Sequence, residues 1–305
     1  MSSRPPGLLR RSVDPNVIMM ICTAGHVDHG KTQLVKLLTG CPTDRLQSEI
    51  ERGLTIELGF APCWLGEGLC VGIVDVPGHE KFIKNMVAGV SGIAMTVLVI
   101  AADDGVMPQT VEHVEIMQLL GVRQGVIALT KTDLVSSEMV EQRSREARAF
   151  LAKTFLVDAP LCPCSSETGE GVQAFYDTLL AEIRKMSRRP PHGVFRMPVE
   201  RTFTQKGFGR VLTGIPVAGR IRVGSEVELQ PDGAVGRVRG MQRFLRDAGE
   251  GGAGQCLALN IPEFGKLDVQ RGRVLAAPGY VQPARCFHVR LTTTPKLDPP
   301  LRHTE

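Results

Sequence analysis

The sequence predicts an α/β domain with a mostly parallel sheet, followed by a small all-β barrel. Up to about Met186, short apolar runs alternate with helical patterns, and this alternation is typical of parallel α/β sheets. Because each run is continuous, its strand is expected to be buried on both faces. After the basic, Pro-rich segment 187–193, short β-branched segments separated by Gly indicate a barrel or a sandwich.

The elements of the first domain follow from these patterns. The predicted strands are the apolar runs 17–24, 69–76, 94–102 and 125–130. A further apolar strand is expected after the Arg-Gly-Leu-Thr segment 52–55. Helices are predicted from residue 31, in the segment that ends at Gly121, and in 171–186. The last helix carries one apolar stripe, made of Val172, Phe175, Leu179 and Ile183.

A length of 305 residues favours two domains over one. The predicted divisions are a disordered lead over 1–16, a nucleotide-binding domain over 17–186, a linker over 187–193, a barrel over 194–281 and the start of a third domain over 282–305. The lead is basic and contains Pro, and it lacks an apolar stretch long enough for a signal peptide.

Composition limits the class of protein. No apolar run approaches the roughly 18 residues that a membrane span needs, so the chain is expected to be cytoplasmic. Eight Cys are too few for a disulfide scaffold of this length. Residues 190–305 contain 17 Lys and Arg against 10 Asp and Glu, whereas the first 189 residues contain 19 against 22. This asymmetry fits either a polyanionic partner on the second part or an ordinary soluble surface.

A glycine-rich loop, GHVDHGKT, follows the first strand and opens the first helix. It matches G-x-x-x-x-G-K-[ST] in the context that phosphate binding requires. Backbone N–H groups and the helix N-terminus face the phosphates, Lys31 supplies a positive charge, and the Thr32 hydroxyl can bind Mg²⁺. The residues expected to bind the nucleotide here are Gly25, Val27, Asp28, His29, Gly30, Lys31 and Thr32.

Four more residues are candidates for the magnesium and γ-phosphate region. Asp75 lies near the end of an apolar strand, where a carboxylate can hold the hydration shell of Mg²⁺. The N–H of Gly78 can sense a γ-phosphate. His79 can orient an attacking water, although a lone histidine is also common at surfaces and in cores. Thr55 fits either a switch-like Mg²⁺ ligand or an ordinary strand-entry residue.

The segment ALTKTD, residues 128–133, ends a strand with a candidate base-reading loop. The Asp133 carboxylate can accept from N1–H and the N2 amino group of guanine, and adenine does not offer this pair of donors. The Lys131 stem can lie along the purine face. Thr130 stands where Asn is expected and keeps a hydroxyl that can hold the loop together. A later loop is expected to reach guanine O6 through backbone N–H groups, at Ser165 and Ser166.

Several motifs stand in order along the chain: GHVDHGKT, RGLTIELGF, DVPGHEKFIKNMVAG, ADDGVMPQTVEH, TKTD and SSETGEG. Together they resemble the guanine-nucleotide domain of translational GTPases, the superfamily of elongation factor Tu. The resemblance is closest to the bacterial selenocysteine-specific elongation factor family and covers about residues 17–290. It implies GTP or GDP and Mg²⁺ as cofactors, and a translation-factor barrel after the nucleotide domain.

The resemblance also implies roles for individual residues. Thr32 and Thr55 would bind Mg²⁺, and Asp75 would act on the metal through water. His79 would orient the attacking water once the ribosome positions it. The chain is therefore expected to hydrolyse GTP with Mg²⁺, slowly by itself and faster on the ribosome.

Two residues favour the selenocysteine branch. Thr130 matches its Thr-Lys-x-Asp form, and Arg201, in the segment 198–214, replaces an acid of elongation factor Tu. A selenol is largely ionised near neutral pH, so a cation in the aminoacyl pocket would favour it over a serine precursor. Arg201 also fits a surface position or a tRNA-backbone contact. Arg237 and Arg243 are secondary candidates for the same pocket or for tRNA phosphate.

The implied partners are the ribosome and selenocysteinyl-tRNA, or another aminoacyl-tRNA, bound by a monomeric factor. Members of this family continue through a further barrel and winged-helix modules that bind an mRNA hairpin. Because this sequence stops at Glu305, hairpin binding is not expected from it and complete delivery is in doubt. The alternatives are a general elongation or initiation GTPase, and a regulatory nucleotide-binding fragment.

Overall fold

The computed structural model describes residues 19–41, 58–65, 69–78, 93–186, 192–205, 209–244 and 246–289. The predicted lead over 1–16 lies outside the described residues, and so do Thr55 and His79. Most of the linker and the end of the predicted third domain are outside them as well. Among the described residues, no helix combines the length and the apolar character needed to cross a membrane.

A six-stranded sheet forms the first domain. Its strands are β1 (Met20–Ala24), β2 (Gly59–Leu65), β3 (Leu69–Asp75), β4 (Met95–Ala101), β5 (Gly125–Thr130) and β6 (Leu161–Pro163). They lie in the order β2-β3-β1-β4-β5-β6. Strand β2 runs antiparallel to β3, and every other neighbouring pair is parallel. The prediction of a mostly parallel α/β sheet is confirmed.

Helices in the described part of this domain are α1 (Lys31–Thr39), α2 (Pro108–Leu119), α3 (Ser137–Leu151) and α4 (Val172–Lys185). In α4, Phe175, Leu179 and Ile183 are buried, as the apolar stripe predicts. Helix α2 ends at Leu119, two residues before the predicted terminator Gly121. Helix α3 begins after Ser136, whose side chain accepts a hydrogen bond from the Met139 N–H.

The central strands are buried on both faces because the sheet separates two apolar cores. Successive residues of one strand enter opposite cores. One core contains Cys22, Leu98 and Ile127, and the other contains their neighbours Ile21, Val97 and Val126. The sequence of these strands is therefore continuously apolar, as observed.

The second domain is all-β, as predicted. Its strands are β7 (Arg196–Pro198), β8 (Arg201–Gln205), β9 (Gly209–Gly214), β10 (Arg220–Arg222), β11 (Glu226–Gln230), β12 (Ala234–Arg237), β13 (Gly240–Arg243), β14 (Arg246–Asp247), β15 (Glu250–Gly252), β16 (Leu257–Asn260) and β17 (Val274–Ala276). They form antiparallel sheets in the orders β10-β15, β12-β11-β17-β7 and β14-β13-β16-β9-β8. These sheets share one core, which includes Met197, Leu212, Leu229 and Phe264.

The two domains pack against each other beside β1, β2 and β3. Phe244 and Ile215 of the second domain are buried in a core of the first. A Cβ on Gly72 would lie 2.7 Å from the Phe244 ring, so the absence of a side chain there permits the approach. The Arg246 guanidinium lies 4.2 Å from the centre of the Trp64 ring.

Candidate nucleotide-binding site

The predicted phosphate loop connects β1 to α1 at the carboxyl end of the parallel strands. Gly25 has φ 131°, and a Cβ on it would overlap the Val99 carbonyl oxygen. Gly30 has φ 87° and Asp28 has φ 61°, so the loop makes repeated left-handed turns before the helix. Sequence, spacing and backbone therefore agree on a compact loop at the N-terminus of α1, the position where helix N–H groups can bind an anion.

Lys31 lies inside this loop and not on the surface. Its side chain is 6% exposed, and its ammonium donates to the His26 carbonyl at 2.6 Å. Desolvation by burial lowers the pKa of Lys31 to about 8, opposed by the nearby charges of Asp75 and Asp28. A buried ammonium at the N-terminus of α1 is suited to a bound phosphate.

Two side chains of α2 accept hydrogen bonds from backbone N–H groups of the phosphate loop. The Gly25 N–H donates to His113 Nδ1 at 3.0 Å, and the Val27 N–H donates to Gln109 Oε1 at 3.1 Å. Burial lowers the pKa of His113 to about 3, so its ring is neutral at pH 7 and can accept this hydrogen bond. No role for His113 or Gln109 was predicted from the sequence. Their spacing of four residues on one face of α2 was the available signal.

The predicted magnesium residues Thr32 and Asp75 are in direct contact. The Asp75 carboxylate is completely buried and accepts from Thr32 Oγ1 at 2.8 Å and from Thr23 Oγ1 at 2.9 Å. A carboxylate and a hydroxyl next to a phosphate loop supply the oxygen ligands that Mg²⁺ prefers, so the residues fit this metal. The Thr32 hydroxyl donates its hydrogen to Asp75 and keeps its lone pairs, so this hydrogen bond leaves Oγ1 able to bind the metal.

Gly78 lies close to the phosphate loop, as expected. A Cβ on Gly78 would be 2.5 Å from Lys31 Nζ and 2.8 Å from the Val27 nitrogen. This turn therefore has no room for a side chain, and contact of the Gly78 N–H with a γ-phosphate stays a prediction. Thr55 and His79, which would complete this region, are outside the described residues and stay predictions.

The candidate base-reading loop follows β5. Thr130 is buried, and its hydroxyl donates to the His29 carbonyl at 2.7 Å, which ties this loop to the phosphate loop. Lys131 has φ 55° and its ammonium lies 3.0 Å from Asp103 Oδ2. Asp133 is exposed in a short 3-10 helix (Thr132–Leu134), where its carboxylate is accessible to a base.

The second predicted base contact, the loop after β6, lies beside β5. The Cys164 N–H donates to the Leu129 carbonyl at 2.8 Å. Ser165 is buried, and its Oγ accepts from the N–H groups of Glu167 and Thr168 at 3.2 and 3.1 Å. Ser166 is partly exposed in the same turn. The Ser165 side chain thus orders a turn whose backbone can face a base.

The arginines that the sequence placed near an aminoacyl pocket occupy different positions. Arg201 lines a cavity of about 140 Å³ between the domains, and its Nη2 donates to the Leu58 carbonyl at 3.3 Å. Arg237 is exposed and lies 2.8 Å from Glu226. Arg237 and Arg243 are not among the residues that line this cavity, which are Met20, Phe60, Ala61, Pro62, Gly72, Ile73, Arg201, Phe203, Thr213, Gln242, Phe244, Cys256, Leu257 and Ala258.

A phosphate loop, an adjacent Thr–Asp pair and a base loop at the ends of neighbouring parallel strands define a nucleotide-binding protein of the GTPase class. The family model of the elongation factor Tu GTP-binding domain matches residues 16–185. The chain belongs to this family of translational GTPases.

Related proteins agree with this assignment. The chain is 46% identical over 283 residues to the selenocysteine-specific elongation factor of Desulfomicrobium baculatum, and the match covers 92% of this chain and 44% of that protein. The chain therefore spans less than half of this relative.

Two solved structures are similar to this one. The crystal structure of a bacterial selenocysteine-specific elongation factor matches with TM-score 0.81 and 37% identity, over 86% of this chain and 45% of that one. Elongation factor SelB from Methanococcus maripaludis, in complex with the GTP analogue GppNHp, matches with TM-score 0.76 and 28% identity, over 85% and 55%.

Proposed function

We propose that this chain is the nucleotide-binding and barrel portion of a factor that delivers selenocysteinyl-tRNA to the ribosome in its GTP state. The observation that carries the proposal is the meeting of the phosphate loop, the Thr32–Asp75 pair and the Thr130 loop in one site. The cargo is inferred from the named relatives together with Thr130 and Arg201. Such a factor would act in the cytoplasm as a monomer.

Hydrolysis would rest on positioning and electrostatics. Lys31 and the loop N–H groups would bind the β and γ phosphates, and a phosphate would relieve the desolvation of the Lys31 ammonium. Mg²⁺, held by Thr32 and through water by Asp75, would neutralise charge on the phosphate oxygens. Thr55 and His79 remain the predicted further metal ligand and water-orienting residue. Turnover would be slow until the ribosome positions His79.

Guanine selection is assigned to Asp133, and calorimetric titration with GDP, GTP and ATP in the presence of Mg²⁺ tests it. We expect GDP and GTP to bind about 100-fold more tightly than ATP, because adenine leaves the Asp133 carboxylate without donors. Asp133→Asn should lose a similar factor for GDP and gain xanthine nucleotides, whose O2 accepts from an amide. Asp158→Asn, at another exposed position, is the matched control.

Two outcomes of this titration would count against the proposal. Equal affinity for ATP and GTP would contradict the base assignment. Absence of binding by any of the three nucleotides would contradict the site as a whole. A chelator should weaken GTP binding if Thr32 and Asp75 hold Mg²⁺.

The cavity that Arg201 lines is the proposed aminoacyl pocket. Its wall is largely apolar, with Phe60 and Phe203 on facing domains, and a guanidinium in such surroundings would attract a selenolate more strongly than a neutral hydroxyl. The volume of about 140 Å³ suits a small side chain. Arg201 therefore fits the position that a selenocysteine-selecting cation requires.

Protection of aminoacyl-tRNA against hydrolysis tests this pocket. With GTP bound, the factor that contains this chain should protect selenocysteinyl-tRNA better than seryl-tRNA, and Arg201→Ala should reduce the ratio by about tenfold, as loss of one partly desolvated charged contact. Arg237→Ala removes an exposed arginine outside the cavity and should leave the ratio unchanged.

Equal protection of ordinary aminoacyl-tRNAs would favour a general elongation or initiation factor. Absence of ribosome-stimulated hydrolysis would favour a regulatory fragment.

A further inference from the structure

An acidic turn, residues 102–105, connects β4 to the segment before α2 and lies beside both nucleotide loops. The Gly105 N–H donates to the Ala101 carbonyl at 2.8 Å and closes the turn. The Ala102 N–H donates to the Thr130 carbonyl at 2.8 Å and joins the turn to the base loop. The motif ADDGVMPQTVEH contains this turn, and nothing above gives its two carboxylates a role.

The two carboxylates of the acidic turn face different partners. Asp103 Oδ2 lies 3.0 Å from Lys131 Nζ, with the two side chains 31% and 29% exposed. Asp104 Oδ2 lies 3.7 Å from Nε2 of the buried His29. Burial lowers the pKa of His29 to about 4, so this ring is neutral near pH 7. At neutral pH, Asp103 therefore has a charged partner here and Asp104 faces an uncharged ring.

Helix α3 fixes the backbone of the acidic turn. Arg143 donates from Nε to the Ala102 carbonyl at 3.3 Å and from Nη2 to the Asp103 carbonyl at 3.4 Å. Its Nη1 is held by Glu146 at 2.7 Å. A Cβ on Gly105 would lie 2.9 Å from Arg143 Nη1, so this close approach needs a glycine. The Asp104 N–H donates to Asp103 Oδ1 at 3.0 Å, so the carboxylate is held as well as the backbone.

Lys131 has a flexible side chain on an unusual backbone. Its φ of 55° lies in the left-handed region, which directs the side chain away from the course of an ordinary strand end. An unpaired lysine would occupy many rotamers, and binding a ligand would have to restrict them. An ion pair with a fixed carboxylate restricts these rotamers before the ligand arrives.

We propose that Asp103 is a positioning residue for guanine binding, whose ion pair holds Lys131 with its apolar stem along one face of the purine. The inference rests on the proposed guanine site and deepens it, because Asp103 acts through Lys131 and does not touch the nucleotide. It predicts a contribution to binding of the base and none to binding of the phosphates.

The test compares Asp103→Asn with Asp104→Asn. Both variants remove one negative charge from the same turn. The resulting change in electrostatic potential at the nucleotide should therefore be similar in the two variants. Release of a fluorescent GDP analogue and its equilibrium binding are the measurements. Asp103→Asn should weaken binding about threefold to fivefold through faster release, the size expected of a partly exposed ion pair. Asp104→Asn should stay within about twofold of the wild type, and Asp103→Glu should recover part of the loss.

Two further readouts separate positioning from general damage. Competition by inorganic triphosphate, which has no base, should be the same for the wild type and Asp103→Asn. The ratio of their GDP affinities should approach one at high salt, because salt screens an exposed ion pair. Thermal unfolding checks that the variants fold, and Asp103→Ser replaces Asp103→Asn if the latter does not.

Three results would overturn the inference: unchanged GDP binding in Asp103→Asn, an equal loss in Asp104→Asn, or a parallel loss of triphosphate binding. If the wild type itself fails to bind GDP, the proposed function fails, and the inference that rests on it fails too.

Discussion

The Thr130 hydroxyl joins two loops that are 101 residues apart in the sequence. From the sequence, a threonine at this position raised the question of whether the base loop could still be held. Its hydrogen bond to the His29 carbonyl and the contact at 3.3 Å with the Ile100 carbonyl place it at the junction of β4, β5 and the phosphate loop. The short threonine side chain is sufficient to tie the base loop to the phosphate loop because the His29 carbonyl lies only 2.7 Å from its hydroxyl.

His113 makes the stability of the protein depend on pH. Its folded pKa of about 3 lies below the ordinary value of 6.5, so its contribution is complete above pH 6.5 and is lost as pH falls towards 3. Between pH 7 and pH 5 the free energy of unfolding should fall by about 2 kcal/mol from this residue. Urea denaturation followed by circular dichroism measures it.

The control for this prediction changes a histidine on the surface. His113→Gln removes the titrating group. Its free energy of unfolding should therefore fall by about 2 kcal/mol less than that of the wild type over the same pH range. His192→Gln alters an exposed residue and should keep the wild-type dependence. An identical pH dependence in His113→Gln and the wild type would contradict the assignment.

At the scale of elements, the phosphate loop is held between β4 and α2. The Val99 carbonyl of β4 lies against Gly25, and α2 binds the loop N–H groups through His113 and Gln109. The loop geometry therefore depends on a strand and a helix that the local sequence of the loop does not contain. We therefore expect nucleotide binding to depend on the packing of α2 against the sheet.

Two glycine substitutions separate the effect of a positive φ from the effect of the contact with the Val99 carbonyl. Gly25→Ala places a methyl group on the Val99 carbonyl and should destabilise the domain by about 3 kcal/mol or more, with loss of GDP binding. Gly121→Ala also has a positive φ of 84°, but nothing lies within 4 Å, so about 1 kcal/mol is expected and binding should persist. Thermal unfolding and GDP titration measure both. Equal losses would show that the Val99 contact is unimportant.

At the scale of the whole molecule, the two domains share apolar contacts and a stacked cation. Phe244 is 7% exposed, has φ 48°, and packs into a core of the first domain. Trp64 is the only tryptophan of the sequence, and Arg246 lies over its ring. Its fluorescence therefore reports directly on the contact between domains.

Phe244→Ala should weaken this contact. Removal of a buried phenylalanine ring costs about 3 kcal/mol, and the Trp64 emission should then change at a lower urea concentration than the far-ultraviolet circular dichroism of the whole chain. Val235→Ala, at a residue of the second domain that is 53% exposed, should have almost no effect. Coincident transitions at the wild-type midpoint in Phe244→Ala would contradict a stabilising role for the interface.

Several features of this protein were predictable because they depend on local pattern. The parallel sheet follows from continuous apolar runs, and the phosphate loop follows from the spacing of Gly25, Gly30 and Lys31. Thr32 and Asp75 were both predicted at the magnesium site from their motifs, but the hydrogen bond between them was not predicted. Strand β2 was expected, but its antiparallel pairing with β3 was not. This pairing follows because only three residues separate the two strands, too few for the crossover that a parallel pair needs.

The sequence by itself determined the fold class, the type of ligand and the family. The tertiary structure decided which residues lie together: His113 and Gln109 beside the phosphate loop, Asp103 beside Lys131, and Arg201 in the interdomain cavity, with Arg237 outside it. The reason is physical. A motif records residues that meet a ligand at fixed spacing, whereas supporting contacts join residues that are distant in the chain and become neighbours only when strands and domains pack.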